Sequence, residues 1–199
     1  MRKNDRELLK TISDKELLHS LYLTQLLIVI ISIILGIFLF NDFDDFVELF
    51  VWDFKQILLW GGIAGVTVFL FDLTLMKVLP PNYYDDGGLN ERIFQGRSIF
   101  QIAWIAALVS IAEEILFRGV IQTHVGLVIS SMIFAVVHFR YLFNWYLFLN
   151  VIGLSFLIGF IYGQTENLLV TIFMHFLIDF LLGCAITFNF PKKEQKKGL

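Results

Sequence analysis

A single cysteine, Cys184, in 199 residues excludes an intrachain disulfide and any zinc site built on a cysteine cluster. Redox compartment is left open, and the thiol reads as a small core side chain. Charge is also scarce. Only 17% of residues are charged against 57% hydrophobic, well below the roughly one-quarter usual for a soluble domain. The 15 Lys and Arg against 18 Asp and Glu leave no basic footprint for nucleic acid. With a mean hydropathy of +0.75, the apolar excess is placed in lipid rather than in one soluble core.

The apolar residues come in runs. Leu21 to Phe40 is uncharged and long enough to cross about 30 Å of hydrocarbon, and it is too long and too late for a cleaved signal peptide. Further runs at about 56–79, 99–122, 126–143, 144–163 and 167–189 make six expected spans in an all-α, polytopic helix bundle. The long polar connection, Pro80 to Ser98, reads as loop and separates two front helices from four back ones. The expected organisation is therefore an N-terminal segment over 1–98, a four-helix core over 99–190 and a basic tail over 191–199. There is no internal repeat.

Positive charge fixes the orientation, because cytoplasmic loops carry the excess of Lys and Arg. With six spans, both termini and the connections bearing Lys77, Arg92, Arg97 and Arg140 lie inside, and thirteen of the fifteen basic residues fall there. The outer connections carry Asp42, Asp44, Asp45, Glu48, Asp53 and Glu166. The expectation is a multi-pass protein of the cell membrane whose partners are the bilayer and a membrane-associated protein or peptide, with no nucleic acid. The tail KKEQKK holds topology or touches anionic lipid.

Against that background, charges inside spans are costly and mark a site by default. Glu113, Glu114 and Arg118 interrupt AALVSIAEEILFRGVI. Glu114 and Arg118 are four apart and share one face in the favourable order for an ion pair, whereas Glu113 points about 100° away. His138 follows in IFAVVHF, with Phe134 one turn earlier and able to pack on its ring. His175 and Asp179 in TIFMHFLIDF again share a face. If the turn near residues 124–126 and the turn near Thr165 both lie outside, Glu113, His138, His175 and Asp179 all reach about 15–21 Å from it. Similar depth on three helices points to one shared site.

Other intramembrane groups have blander readings. Asp72, five residues before Lys77, reaches the inner interface or pairs with a neighbour. Gly61, Gly62, Gly65, Gly153 and Gly159 let helices approach closely. Tyr141, Trp145 and Tyr146 look like belt anchors, and Asn150 is placed to cross-link helices.

Two histidines with two or three carboxyl groups supply what peptide hydrolysis needs. No serine sits in a nucleophile elbow and Cys184 lies off the His175–Asp179 line, so water is the natural attacker. Glu113 would act as general base and then proton donor, with His138 helping to orient the water. His175 and Asp179 would face the carbonyl oxygen, Asp179 as a protonated donor or by orienting His175. The expectation is no cofactor. Zinc held by His138, His175 and Glu113 is the rival chemistry, although the helical HExxH spacing and any cysteine ligand are missing.

EExxxR at Glu113, Glu114 and Arg118, FxxxH at Phe134 and His138, and HxxxD at His175 and Asp179 resemble, in order and spacing, the motifs of the CPBP family. These are the CAAX proteases and bacteriocin-processing enzymes, also called the Abi group, and the resemblance covers about residues 105–185. It implies a glutamate-type intramembrane endopeptidase in which Glu113 and His138 activate water, His175 and Asp179 hold the oxyanion, and Glu114 and Arg118 support them. The prenyl-protein proteases of the family carry HxxxN in the third motif, where this chain has Asp179. Two readings from other classes stand beside it. One is a non-enzymatic bacteriocin-immunity or partner-binding membrane protein that keeps the motifs as a clasp. The other is a proton-coupled transporter, against which the lack of repeat-related halves counts.

Overall fold

The computed structural model describes residues 11–138, 141 and 144–188, all helical or connecting, with no strand among them. The basic residues at positions 2–10, Arg140 and the tail over 191–199 lie outside the described residues. Five helices are long and apolar enough to cross a membrane: Asp14–Leu39 (α1), Phe54–Val78 (α3), Ile99–Val137, Trp145–Thr165 (α7) and Leu168–Thr187 (α8). The short helices Phe43–Val47 (α2) and Leu89–Phe94 (α4) lie in the two polar connections.

The count of five hides a sixth limb. A straight helix over Ile99–Val137 would run about 58 Å, nearly twice the hydrocarbon thickness. Gly126 breaks it, with φ 84° and ψ 170°, a conformation closed to residues bearing a Cβ. The rising limb comprises α5 (Ile99–Glu114) and a π-helical stretch, Ile115–Gln122; α6 (Thr123–Val137) contains the turn and the descending limb. That limb is shorter than the apolar run suggests, ending at Val137 rather than 143. His138 leaves the helix at φ −85° and ψ 35°, and its own ring takes the Phe134 carbonyl at 2.8 Å.

The bundle buries many polar groups beside three apolar clusters and turns an apolar face outward. Arg118, Glu114, Ser110, Ser130, Ser155, Asn167 and Thr171 are wholly buried, while Phe100, Phe38 and Trp52 are at least 80% exposed. Water would punish that inversion; lipid rewards it. Helix α8 is the central element, packing on α5, α3, α7 and α4, while α1 lies along α5 and the π-helical stretch. Small residues permit the closest approaches. A Cβ on Gly61 would stand 2.6 Å from the Val170 carbonyl oxygen, and one on Gly159 2.5 Å from Leu127 Cδ1. Gly153 has nothing within 4 Å of such a Cβ, so the sequence reading of it as a contact glycine does not hold.

Both ends of the bundle are tied. At the end carrying Lys77, Arg92 and Arg97, Leu89, Ile93 and Phe94 of α4 pack with Leu17, Ile102 and Ile105. Arg92 there donates to Asp14 Oδ1 at 2.7 Å. At the other end Asn167 caps α8 through Leu169 N–H and donates to the Val51 carbonyl and Gln56 Oε1, each at 2.8 Å. The acidic connection is thereby held against the turn between α7 and α8.

Candidate active site

Glu113 and Glu114 close α5, and the chain then widens into π-helical turns. Widened turns of this kind recur at functional sites because they aim side chains that a regular helix would not. Being adjacent, the two carboxylates diverge. Glu114 Oε2 lies 3.4 Å from Arg118 Nε and Glu114 Oε1 lies 2.9 Å from His175 Nδ1, all three groups being buried. Glu113 Oε2 lies 4.0 Å from His138 Nε2. His175 Nε2 in turn lies 3.6 Å from Asp179 Oδ2.

The structure therefore brings all six charged or imidazole side chains into one continuous arrangement across three limbs. The spacing of Glu114 and Arg118 is seen as a contact, and so is that of His175 and Asp179. The contact of His175 with Glu114 was not legible, because helical spacing says nothing about which face meets which. As a result both His175 nitrogens face carboxylates, leaving it less open toward a substrate than His138 or Asp179. Side-chain exposure follows suit: 7% for His175, 25% for His138 and 29% for Asp179.

Phe134 joins the two halves. Its ring stacks on His138 with centroids 4.3 Å apart, and Arg118 Cζ lies 5.3 Å from the same centroid. Phe117 meets it edge-on at 4.8 Å.

Tautomer logic constrains His138. A backbone carbonyl only accepts, so the 2.8 Å contact between Nδ1 and the Phe134 oxygen places the ring N–H there. In the neutral ring Nε2 then presents its lone pair toward Glu113. Nε2 and Glu113 Oε2 face each other across 4.0 Å.

Sequence reading missed the support behind Arg118. Its Nη2 donates to the Ser155 carbonyl at 3.3 Å and to Ser155 Oγ at 3.2 Å, and Gln122 Nε2 donates to the Gly159 carbonyl at 2.6 Å. Arg118 and Gln122 are four apart, as are Ser155 and Gly159. The signal was present as two matched i, i+4 pairs of polar or small residues on neighbouring apolar helices. Ser130 adds a 2.6 Å hydrogen bond to the Phe117 carbonyl. Among the described residues no three His, Cys, Asp or Glu side chains are grouped as a metal site would require, and His138, His175 and Glu113 are not gathered about one point.

Comparison with known proteins gives this arrangement a class. Residues 95–181 match the family described as Type II CAAX prenyl endopeptidase Rce1-like, a stretch containing every residue of the site. The chain is 44% identical over 175 residues to uncharacterized protein YpbD of Bacillus subtilis (strain 168), covering 87% of this chain and 92% of that protein. It is 30% identical over 144 residues to UPF0177 protein YxdF of Lactococcus lactis subsp. lactis (strain IL1403), covering 68% of this chain and 80% of that one. No solved structure matches. The family match and the apolar spans together make this an integral membrane protein of the CAAX-protease type of membrane endopeptidase. The chain belongs to the Rce1-like family of the CPBP group.

Proposed function

We propose that this protein is an endopeptidase of the cell membrane that hydrolyses a peptide bond in a membrane-associated protein or peptide, with water as nucleophile and no metal. The observation that carries the reading is the 4.0 Å separation of Glu113 Oε2 and His138 Nε2, with the other His138 nitrogen occupied by a carbonyl. One water donating two hydrogen bonds of about 2.8 Å sets its acceptors roughly 4 Å apart. Donating to both groups, it turns its lone pairs outward, toward a scissile carbonyl.

Attack transfers the water proton to Glu113, and Glu113 passes it to the leaving amine as the tetrahedral intermediate collapses. His138 holds the water through Nε2 and takes part of the developing charge. Its own orientation is fixed by the Phe134 carbonyl and ring. With the Nδ1 proton of His175 directed at Glu114, the donor to the oxyanion is a protonated Asp179 carboxyl, whose Oδ2 lies 3.6 Å from His175 Nε2. Asp179 is the more exposed of the two and so the one able to reach the substrate. Glu114 and Arg118 act through His175: the buried Glu114 carboxylate fixes its tautomer, and Arg118, anchored on Ser155, holds that carboxylate in place.

Hydrolysis of membrane-tethered peptides by the purified protein tests the reading. Wild type cleaves in the presence of a chelator, and Glu113→Gln does not. Cleavage abolished by chelator and restored by zinc would replace this mechanism with a metal one. Retained cleavage by Glu113→Gln would remove Glu113 from it.

A further inference from the structure

Asp72 lies on α3 outside the arrangement described above. It is half-buried, six residues from the end of α3 that carries Lys77, and so about 9 Å from that end. Burial alone acts on it: no hydrogen bond or ion pair among the described residues reaches its carboxyl group. Such a charge within a span is costly unless something meets it. The Tyr146 phenol on the first turn of α7 is near enough to Asp72 to interact with its charge, and Asn150, one turn on, hydrogen-bonds the same hydroxyl. Neither supplies a compensating charge, so the carboxylate is left able to accept from a cation.

The surroundings indicate what would bring that cation. Helices α3 and α7 both pack on α8 but make little contact with each other. Between them runs an apolar groove lined by Trp60, Ile63, Thr67, Leu157, Phe160 and Ile161. It ends near Thr67 and Leu157, one to two turns from Asp72 and Asn150 along the same two helices. The apolar groove and the acid thus follow one another along α3, with Asp72 beyond the groove on the side expected to face the cytoplasm. A single-span peptide oriented by the positive-inside rule has the complementary pattern, an apolar segment followed by Lys or Arg on the cytoplasmic side.

We infer that Asp72, with Tyr146 and Asn150, forms a subsite between α3 and α7 that takes the juxtamembrane basic side chain of a membrane-spanning peptide seated in the adjoining groove. The inference rests on the peptidase reading only for what becomes of that peptide. Binding is independent of cleavage and serves as the test.

The full-length protein in neutral-lipid vesicles is titrated with dye-labelled single-span peptides, identical except for Lys, Ser or Glu at the cytoplasmic boundary. Wild type binds the Lys peptide about tenfold tighter than the Ser peptide and the Glu peptide most weakly. Asp72→Asn, nearly isosteric, removes the difference between Lys and Ser, and Asp72→Lys reverses the order of Lys and Glu. Equal binding of the three peptides by wild type, or an unchanged Lys preference in Asp72→Asn, overturns the subsite. Cleavage followed in the same vesicles separates the two claims. Peptides bound with this preference but never cut support the subsite and overturn the peptidase reading.

Discussion

His175 Nδ1 and Glu114 Oε1 stand 2.9 Å apart although sixty-one residues separate them, and this buried contact joins α8 to α5 at the level of the site. Glu114 is also the carboxylate nearest Arg118, whose side chain is wholly buried. One acid therefore compensates an arginine and orients an imidazole.

Loss of Glu114 should then cost stability as well as activity. Removing one partner of a buried ion pair leaves an uncompensated charge, typically about 3–5 kcal/mol. Glu114→Ala is expected to lower the thermal midpoint in detergent sharply. Glu114→Ala combined with Arg118→Met should lower it less than Glu114→Ala alone, because the stranded cation is gone. A double variant at least as unstable as the sum of the single ones would show that the two side chains do not act as a pair.

Glu113 behaves oppositely. Its nearest titratable neighbour is the His138 ring at 4.0 Å, and among the described residues it makes no ion pair with the buried Arg118. Glu113→Gln is expected to keep the wild-type thermal midpoint while turnover of a tethered peptide falls by about 10²–10⁴-fold, the usual worth of a general base. A drop in stability parallel to that of Glu114→Ala would place Glu113 among the structural acids instead.

This division between neighbouring acids was half legible in the sequence. The span count, the inside-out composition and the shared depth of Glu113, His138, His175 and Asp179 follow from run lengths and a 1.5 Å rise per residue. That Glu113 and Glu114 diverge follows from 100° per residue. Which helix each would face does not, since in a uniformly apolar helix periodicity names no preferred face. The widening at Ile115–Gln122 carries no signature in composition either, and it sets where Arg118 and Gln122 meet α7. The fourth limb was read six residues too long because apolar residues continue beyond His138, where the ring caps the helix.

Glycines offer a sharper contrast than composition could. At Gly159 an added methyl group meets Leu127 Cδ1 at 2.5 Å and Gln122 Oε1 at 2.6 Å, and at Gly61 it meets a backbone oxygen. At Gly153 it meets nothing within 4 Å. Gly61→Ala and Gly159→Ala should destabilise by about 1–3 kcal/mol through overpacking, whereas Gly153→Ala should be neutral or slightly stabilising from helix propensity. Thermal midpoints of the three variants under one detergent condition decide it. Equal shifts would mean that helix contact is not what separates these positions.

Phe134 carries the most specific expectation, because its ring contributes to packing and to positioning at once. It is 4% exposed, stacked on His138 at 4.3 Å, and edge-packed by Phe117 at 4.8 Å. Phe117, 1% exposed, has comparable burial without a ring contact to His138. Phe134→Leu and Phe117→Leu should therefore cost similar stability, about 1–2 kcal/mol from the lost ring contacts. Their kinetics should differ. In Phe134→Leu the imidazole loses the surface that fixes its plane, while the carbonyl of residue 134 still holds Nδ1, so substrate binding is retained and the chemical step slows. The expected signature is kcat reduced about tenfold at nearly unchanged KM, with Phe117→Leu within about twofold of wild type, measured well below both thermal midpoints. Parallel losses in the two variants would reduce Phe134 to a packing residue and leave the orientation of His138 to its Nδ1 hydrogen bond alone.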